Sequence, residues 1–384
     1  MMVGHTELTA WAGDICSFLA ALGVIYLFLA AILVHRLARE TGRGPAVHPP
    51  VSVLVPLCGE DGHLRERLAA LTRQDYDAPF QVVCGVQDPN DPAIAIVRAV
   101  AAEAPGARVE LKVDPKQSGA NRKVSNLLNM APLARHRLLA VIDSDIIVGP
   151  DHLSKVVDAL ERPGVGAVTC LYHGISGVGL WSNLSALSIN VHFLPSVIVA
   201  LTFGIARPCF GSTIALGRAT LERIGGLWAF KDCLHDDYAL GERLRQTGYD
   251  VAIPHFSVGH VCREVSALAL MQNQLRAART IRMIKPFEYA ASIVAHPMAF
   301  AIPATMLDAA HGFTLLLFAL AARLALCVSV ESRFSLNRQT YWLLPFCDLL
   351  FLVVYAASFF GGRIVWRGER YRLRPDGTLV PESR

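Results

Sequence analysis

Hydrophobic positions in this 384-residue chain follow two distinct patterns. Residues 15–34, 313–330 and 341–360 are nearly unbroken apolar runs, each long enough to cross a hydrocarbon core of roughly 30 Å as a helix. Between them, from residue 51 onward, short apolar blocks alternate with amphipathic stretches. The blocks at 51–57, 80–86, 109–113, 138–142 and 165–172 predict strands, and 64–71 and 93–103 predict helices. Strands alternating with helices predict βαβ units and a mostly parallel sheet, in which the apolar run 138–142 reads as a buried strand. The expected architecture is therefore an α/β domain with transmembrane helices at both ends.

Charges orient the apolar runs. Glu7 and Asp14 precede residues 15–34, whereas His35, Arg36, Arg39 and Arg43 follow. The positive-inside rule then puts the amino terminus outside and the next segment in the cytoplasm. No small-residue cleavage site is evident, so this run reads as an uncleaved anchor. Residues 313–330 and 341–360 read as a helical hairpin, followed by Arg363, Arg367, Arg370, Arg372 and Arg374, again an inside signature. Residues 290–311 are apolar but broken by His296, Pro297, Pro303 and Asp308; a crossing here would put the basic tail outside, so the segment is expected to be interfacial or re-entrant. The expected division is an extracytoplasmic segment 1–14, an anchor 15–34, a Gly/Pro linker 35–50, a cytoplasmic domain 51–289, the segment 290–311, a hairpin 313–360 and a basic cytoplasmic tail 361–384. Arg323 and Asp348 lie inside the hairpin runs, where charge is expensive; they are expected to pair with each other or sit near the headgroups.

Composition narrows the function. Hydrophobic residues make up 53% of the chain, which fits membrane spans. A net charge of only +4 with no basic patch gives nucleic-acid binding no support. The nine cysteines are scattered, odd in number and free of any C-x-x-C pair, which argues against a disulfide framework or zinc site and fits a reducing compartment.

Candidate chemistry gathers at strand ends. The block 138–142 runs into Asp143-Ser144-Asp145, two acids at the carboxyl end of a central strand, where open α/β sheets bind ligands. Such oxygen ligands suit Mg²⁺ or Mn²⁺ beside substrate phosphates; the plainer reading is an acidic turn. Asp88 follows the second strand. The first strand ends in Pro56-Leu57-Cys58-Gly59-Glu60, with no G-x-G-x-x-G, and a Walker A loop is absent too, which disfavours a dinucleotide or P-loop enzyme. Asp236 and Asp237 precede a helix expected at 239–247, either as capping acids or as a general base. Arg276, Arg279 and Arg282 share one helical face, fit for anionic headgroups or a diphosphate.

Taken together, VSVLVPL at 51, VQDPNDPAI at 86, GANRKVSNLLNM at 119, DSD at 143, GGL at 225 and DDYALGERL at 236 resemble the ceramide glucosyltransferase family, glycosyltransferase family 21. TCLYHG at 169 and FLPSVIVA at 193 resemble its bacterial hopanoid-biosynthesis branch. The likeness covers residues 15 to 360. It implies a GT-A type nucleotide-sugar-binding fold in a multi-pass protein of the bacterial inner membrane, with its active site cytoplasmic. It further implies that Asp88 holds the uracil or ribose of a UDP-sugar, that Asp143 with Asp145 holds a divalent cation on the diphosphate, and that Asp237, beside Asp236, is the general base. Lys123 and Asn126 would line the donor pocket, with Arg276 and Arg279 on the diphosphate side. The family's last motif is Gln or Arg, two residues, then Arg-Trp. Here Asn273-Gln274-Leu275-Arg276-Ala277 or Arg276-x-x-Arg279-Thr280 fills it, without the tryptophan in either register. His192 lies near a histidine of eukaryotic relatives, though a lone histidine is more often structural. The implied reaction is inverting transfer from UDP-N-acetylglucosamine to a membrane lipid such as bacteriohopanetetrol; the alternative is UDP-glucose with ceramide. A processive polysaccharide synthase would need more helices and the intact motif. A non-catalytic membrane scaffold would not bind the donor.

Overall fold

The computed structural model describes residues 2–38, 47–60, 62–361, 363–366, 369–373 and 379–381. Arg39 and Arg43 of the linker and Arg367 and Arg374 of the tail lie outside the described residues. The chain divides into two compact units: one of Met1–Ala38, Gly174–Ala206 and Cys262–Val365, the other of Arg39–His173, Arg207–Val261 and Trp366–Arg384.

Helix α1 (Met2–Arg36) comes first. There follow β1 (Val51–Pro56), α2 (Leu64–Thr72), β2 (Phe80–Val86), α3 (Ala93–Glu103), β3 (Arg108–Val113) and α4 (Arg122–Met130). Next are β4 (Leu138–Ile142), β5 (Ile146–Ile147), α5 (His152–Leu160), β6 (Val165–Thr169) and β7 (Leu171–Ser176). Helices α6 (Leu180–Ser188) and α7 (Leu194–Thr202) are joined by a π-helical turn, Ile189–Phe193. The chain then forms β8 (Thr213–Gly217), α8 (Arg218–Arg223), α9 (Asp236–Gln246), β9 (Asp250–Ala252) and β10 (Ser257–Cys262). Helices α10 (Ala267–Ile284), α11 (Pro286–Ala291), α12 (Met298–Leu307), α13 (Ala309–Phe334) and α14 (Leu344–Ser358) complete the helical part.

The second unit is built on a seven-stranded sheet of order β3-β2-β1-β4-β8-β6-β9. It is mostly parallel, with β8 alone running against both neighbours. Alternation along each strand sorts side chains to opposite faces. Val51, Val53 and Val55 pack with Leu64, Leu68 and Leu71 of α2, Val97 of α3 and Leu153 of α5. Leu54, Val83 and Val141 pack on the other face with Val124 and Leu127 of α4 and Leu240 and Leu244 of α9. Both faces are covered over the central strands, which is why β1, β2 and β4 are buried along most of their length, whereas the edge strand β3 is half-buried and carries Glu110 and Lys112. The expected strand 165–172 is divided into β6 and β7, and the helix expected at 239 begins at Asp236, so both acids lie in its first turn, where the helix dipole favours them.

The other unit is helical. Among the described residues, four helical segments are long and apolar enough to cross a membrane: Ala10–Arg36, Leu180–Thr202, Ala309–Phe334 and Tyr341–Ser358. Pro286–Ala295 and Met298–Leu307 form a further pair, bent by 54°. Leu180–Thr202 had been assigned from sequence to the domain 51–289; Ser182, Ser185, Ser188, Asn190 and His192 break up its apolar signal. Arg323 of α13 and Asp348 of α14 are both buried and pair with each other. The same guanidinium donates to the carbonyls of Val191, at 2.8 Å, and of Ala295. Those carbonyls belong to the π-helical turn and to the short 3₁₀ turn Ser292–Ala295, where regular helical hydrogen bonding is interrupted. His192, His296 and Asp348 bring ligand-type atoms within 4.8 Å of one another. A dication there would face the guanidinium already on that carboxylate, so the cluster reads as a polar joint between helices.

Candidate active site

The parallel strands β1, β2 and β4 end at one edge of the sheet. Because β8 is antiparallel to β4, with Thr213 opposite Ile142, the residues just before β8 arrive at that same edge. The Asp143 N–H donates to the Ser212 carbonyl at 3.4 Å, which brings Gly211 beside the acidic turn. A Cβ on Gly211 would lie 3.1 Å from Asp143 Oδ2, 3.1 Å from Lys123 Nζ and 3.3 Å from Asp237 Oδ2. Three charged groups from three separate segments thus close around a residue with no side chain.

Lys123, in the first turn of α4, places its ammonium 2.5 Å from Asp143 Oδ1 and 4.0 Å from Asp236 Oδ2. Burial would push the ammonium's pKa down, but the charges of Asp143 and Asp236 outweigh it and hold Lys123 protonated. Burial raises the carboxyl groups of Asp143, Asp236 and Asp237 above the usual range, opposed chiefly by Lys123. Asp145 Oδ2 lies 3.6 Å from His260 Nε2 of β10. Three carboxyl groups act on one ammonium, with Asp145 acting on Asp143, and carboxylate oxygens with an imidazole nitrogen are a donor set that Mg²⁺ or Mn²⁺ accepts. The residues present therefore fit a divalent cation.

The loop before α4 is strapped to the loop before α9. Asn121 caps α4 by accepting from the Val124 N–H at 3.1 Å, and its amide donates to the Cys233 carbonyl at 2.7 Å and to Asp236 Oδ1 at 3.0 Å. The Asn121 N–H donates to the Lys231 carbonyl at 2.7 Å. This strap sets Lys123 against the two acids.

The structure brings together Lys123, Asp143, Asp236 and Asp237 and sets Asp145 beside His260. Asp88 sits on the same edge, just past β2, but is exposed; its carboxylate accepts from the Asn90 N–H at 2.9 Å within a turn. Asn126 is buried and donates to the Gly85 carbonyl at 2.8 Å, locking α4 onto β2; its Oδ1 has no hydrogen-bond partner among the described residues. Arg276 and Arg279 belong to the helical unit, where Arg276 donates to Asn273 Oδ1 and Arg279 to the Phe360 carbonyl, each at 2.8 Å. Sequence reasoning missed Gly211, Asn121 and His260 as site residues. A polar residue within an otherwise apolar strand was the one available sign of His260, and nothing local marked Gly211.

An acidic, cation-fitting pocket at the carboxyl edge of this sheet is the layout of a GT-A glycosyltransferase. A mannosyltransferase of Pyrobaculum calidifontis, solved with GDP-mannose and Mn²⁺, has the same fold: the TM-score is 0.52 at 20% identity, covering 92% of this chain and 99% of that one. The chain belongs to glycosyl transferase family 21, whose model matches residues 15–379, and with it to the glycosyltransferases. It is similar to ceramide glucosyltransferase 1 of Caenorhabditis elegans, 23% identical over 62% of this chain and 51% of that protein. It is also similar to the ceramide glucosyltransferase of Komagataella phaffii, 31% identical over 38% of this chain and 29% of that protein. An N-acetylglucosaminyltransferase of Rhizobium leguminosarum is 32% identical over 31% of this chain and 27% of its own length. The chain thus spans about half or less of the length of these curated relatives.

Proposed function

We propose that this protein is a membrane-bound, inverting glycosyltransferase that moves a sugar from a UDP-sugar to the hydroxyl of a membrane lipid. The observation carrying this reading is the convergence of Lys123, Asp143 and Asp237 over Gly211 at the carboxyl edge of the sheet. Asp143 and Asp145 would hold Mg²⁺ or Mn²⁺, which when bound takes up the negative charge of the leaving diphosphate. Lys123 adds a fixed positive charge on the same side and keeps the carboxylates from repelling one another apart. Asp237, held by the Tyr238 N–H at 2.8 Å, accepts the proton of the lipid hydroxyl as that oxygen attacks the anomeric carbon. Asp236 is oriented by Asn121. Asp88, at the exposed end of β2, would bind the uracil or ribose, with Asn126 behind the donor pocket. Arg276 and Arg279 would serve the diphosphate side.

UDP-N-acetylglucosamine with a hopanoid polyol such as bacteriohopanetetrol is the favoured pair, on the branch-specific phrases at 169 and 193 and on the similarity to a bacterial N-acetylglucosaminyltransferase. UDP-glucose with ceramide is the second reading, favoured by the names of two other relatives. The apolar helices and the basic residues His35 and Arg36 ending α1 support a bacterial inner-membrane location with a cytoplasmic active site.

Purified protein in detergent, given each donor with each lipid and followed by mass spectrometry, should yield one glycolipid of inverted anomeric configuration. Transfer to neither lipid removes both assignments. UDP with Mn²⁺ should raise the unfolding temperature, and EDTA or Asp143→Asn should abolish that rise. Asp237→Asn should keep the rise while losing turnover by about 10²–10⁴-fold.

A further inference from the structure

The Asp143-Ser144-Asp145 turn must present two like charges to one ion, so its backbone has to be held against their repulsion. Four described hydrogen bonds to its main chain do so. Ile146 N–H donates to the Asp143 carbonyl at 3.1 Å, Asp143 N–H to the Ser212 carbonyl at 3.4 Å and Val261 N–H to the Asp145 carbonyl at 2.9 Å. These are backbone to backbone, indifferent to side-chain identity. The fourth comes from a side chain: Arg67 Nε donates to the Ser144 carbonyl at 2.6 Å.

Arg67 stands in an unusual place. It belongs to α2, on the face that sends Leu64, Leu68 and Leu71 into the apolar layer, and is only 3% exposed. Arginine is almost never buried this deeply unless something is gained by it. Its neighbours Arg65 and Glu66 on the same helix are exposed, so the sequence had other places for charge. Burying a guanidinium at the turn supplies a donor to the Ser144 carbonyl, which no main-chain N–H reaches among the described residues.

We propose that Arg67 is the positioning residue of this turn, fixing the Ser144–Asp145 peptide so that Asp143 and Asp145 face one divalent cation. The inference rests on the reading of that pair as cation ligands. It makes Arg67 a determinant of metal affinity from outside the ligand set, acting through the main chain. Residues that orient metal ligands in this way commonly account for about 10–100-fold in affinity.

The test is Mn²⁺ binding to the full-length protein in detergent with UDP, read from the spin-resonance signal of the free ion. Wild type, Asp143→Asn, Arg67→Gln and Arg67→Lys are compared, with thermal unfolding recorded for each. Arg67→Gln should weaken Mn²⁺ binding at least about tenfold. Arg67→Lys, which keeps the charge but not the planar fork, should lie between. At saturating Mn²⁺ the kcat of Arg67→Gln should return towards wild type while the metal requirement stays raised. If Asp143→Asn binds Mn²⁺ like wild type, the ligand reading itself is wrong. If Asp143→Asn fails to bind but folded Arg67→Gln binds normally, the role of Arg67 alone is wrong. Failure of both Arg67 variants to fold would make it a folding residue and would equally overturn the proposal.

Discussion

At Gly211 the neighbours of the missing Cβ are the ends of three flexible side chains, so a methyl group can be accommodated by small displacements. Those displacements fall on Lys123, Asp143 and Asp237, the groups proposed above to act on donor and acceptor. Gly211→Ala should therefore fold with an almost unchanged unfolding temperature yet lose about tenfold or more in kcat, since small misplacements of reacting groups are costly. A large loss of stability with normal kcat would mean that the close approach is not functional. A second residue-scale case lies away from the site. His48 Nδ1 is 2.5 Å from Asp77 and Nε2 is 2.8 Å from Asp158 of α5, with Tyr76 against the ring. Burial lowers the imidazole's pKa, but the hydrogen bonds and charges of Asp158 and Asp77 more than reverse this, and the net shift is upward. The folded state then holds the proton more tightly than the unfolded chain. Its contribution is complete below about 6.5, the unfolded value, and disappears as pH rises through the folded one. The unfolding temperatures of wild type and His48→Gln should differ most in acid and converge as pH rises; a constant difference would show that the proton is not involved.

At the scale of elements, α4 is the component that ties chemistry to fold. Its cap Asn121 also holds the loop before α9, so one substitution acts on both. Asn121→Ser keeps an oxygen for the cap and loses the bonds to the Cys233 carbonyl and Asp236. It should cost less stability than Asn121→Ala, which also forfeits about 1 kcal/mol of capping. Both should reduce turnover similarly, as measured by denaturant unfolding alongside initial rates. The elements themselves were largely legible from sequence. The blocks at 51, 80 and 138 are apolar because they are covered on both faces of the sheet, and the half-buried block at 109 is its edge strand. Asp143 and Asp237 were found because acids beside strand ends or helix starts are locally conspicuous. Gly211 and His260 were not, because their place in the site comes from the reversed strand β8 and the pairing of His260 with Ile146 in β5, which are long-range choices. Leu180–Thr202 does not stand out as a candidate span in the sequence for a different reason. Its serines, Asn190 and His192 look wrong for a span until their partners, such as the Gly174 backbone for Asn190, are in place.

For the molecule as a whole, the helical unit depends on one ionic joint connecting four stretches of chain far apart in sequence. Removing either member of the Arg323–Asp348 pair leaves the other buried without its counter-charge, at a cost of up to about 3–5 kcal/mol. Arg323→Met and Asp348→Asn should each sharply reduce the yield of folded protein in detergent. Arg323→Met combined with Asp348→Leu should recover part of it; no recovery would mean that the carbonyl contacts of Arg323 matter more than the ion pair. With several apolar helices, the intact chain should also stay with the membrane through an alkaline carbonate wash and be released by detergent.

The reversed strand β8 also bears on how the protein is made. It is fifth in the sheet order, yet in the gene it lies beyond residues 174–206, which belong to the helical unit. A ribosome must therefore deliver that greasy excursion before it delivers the strand that brings Gly211 to the acids. Until then the nascent sheet has an open border at β4, and Asp143 has no Ser212 carbonyl beside it. Completion of the proposed site is thus coupled in time to the translation of a segment that takes no part in the seven-stranded sheet.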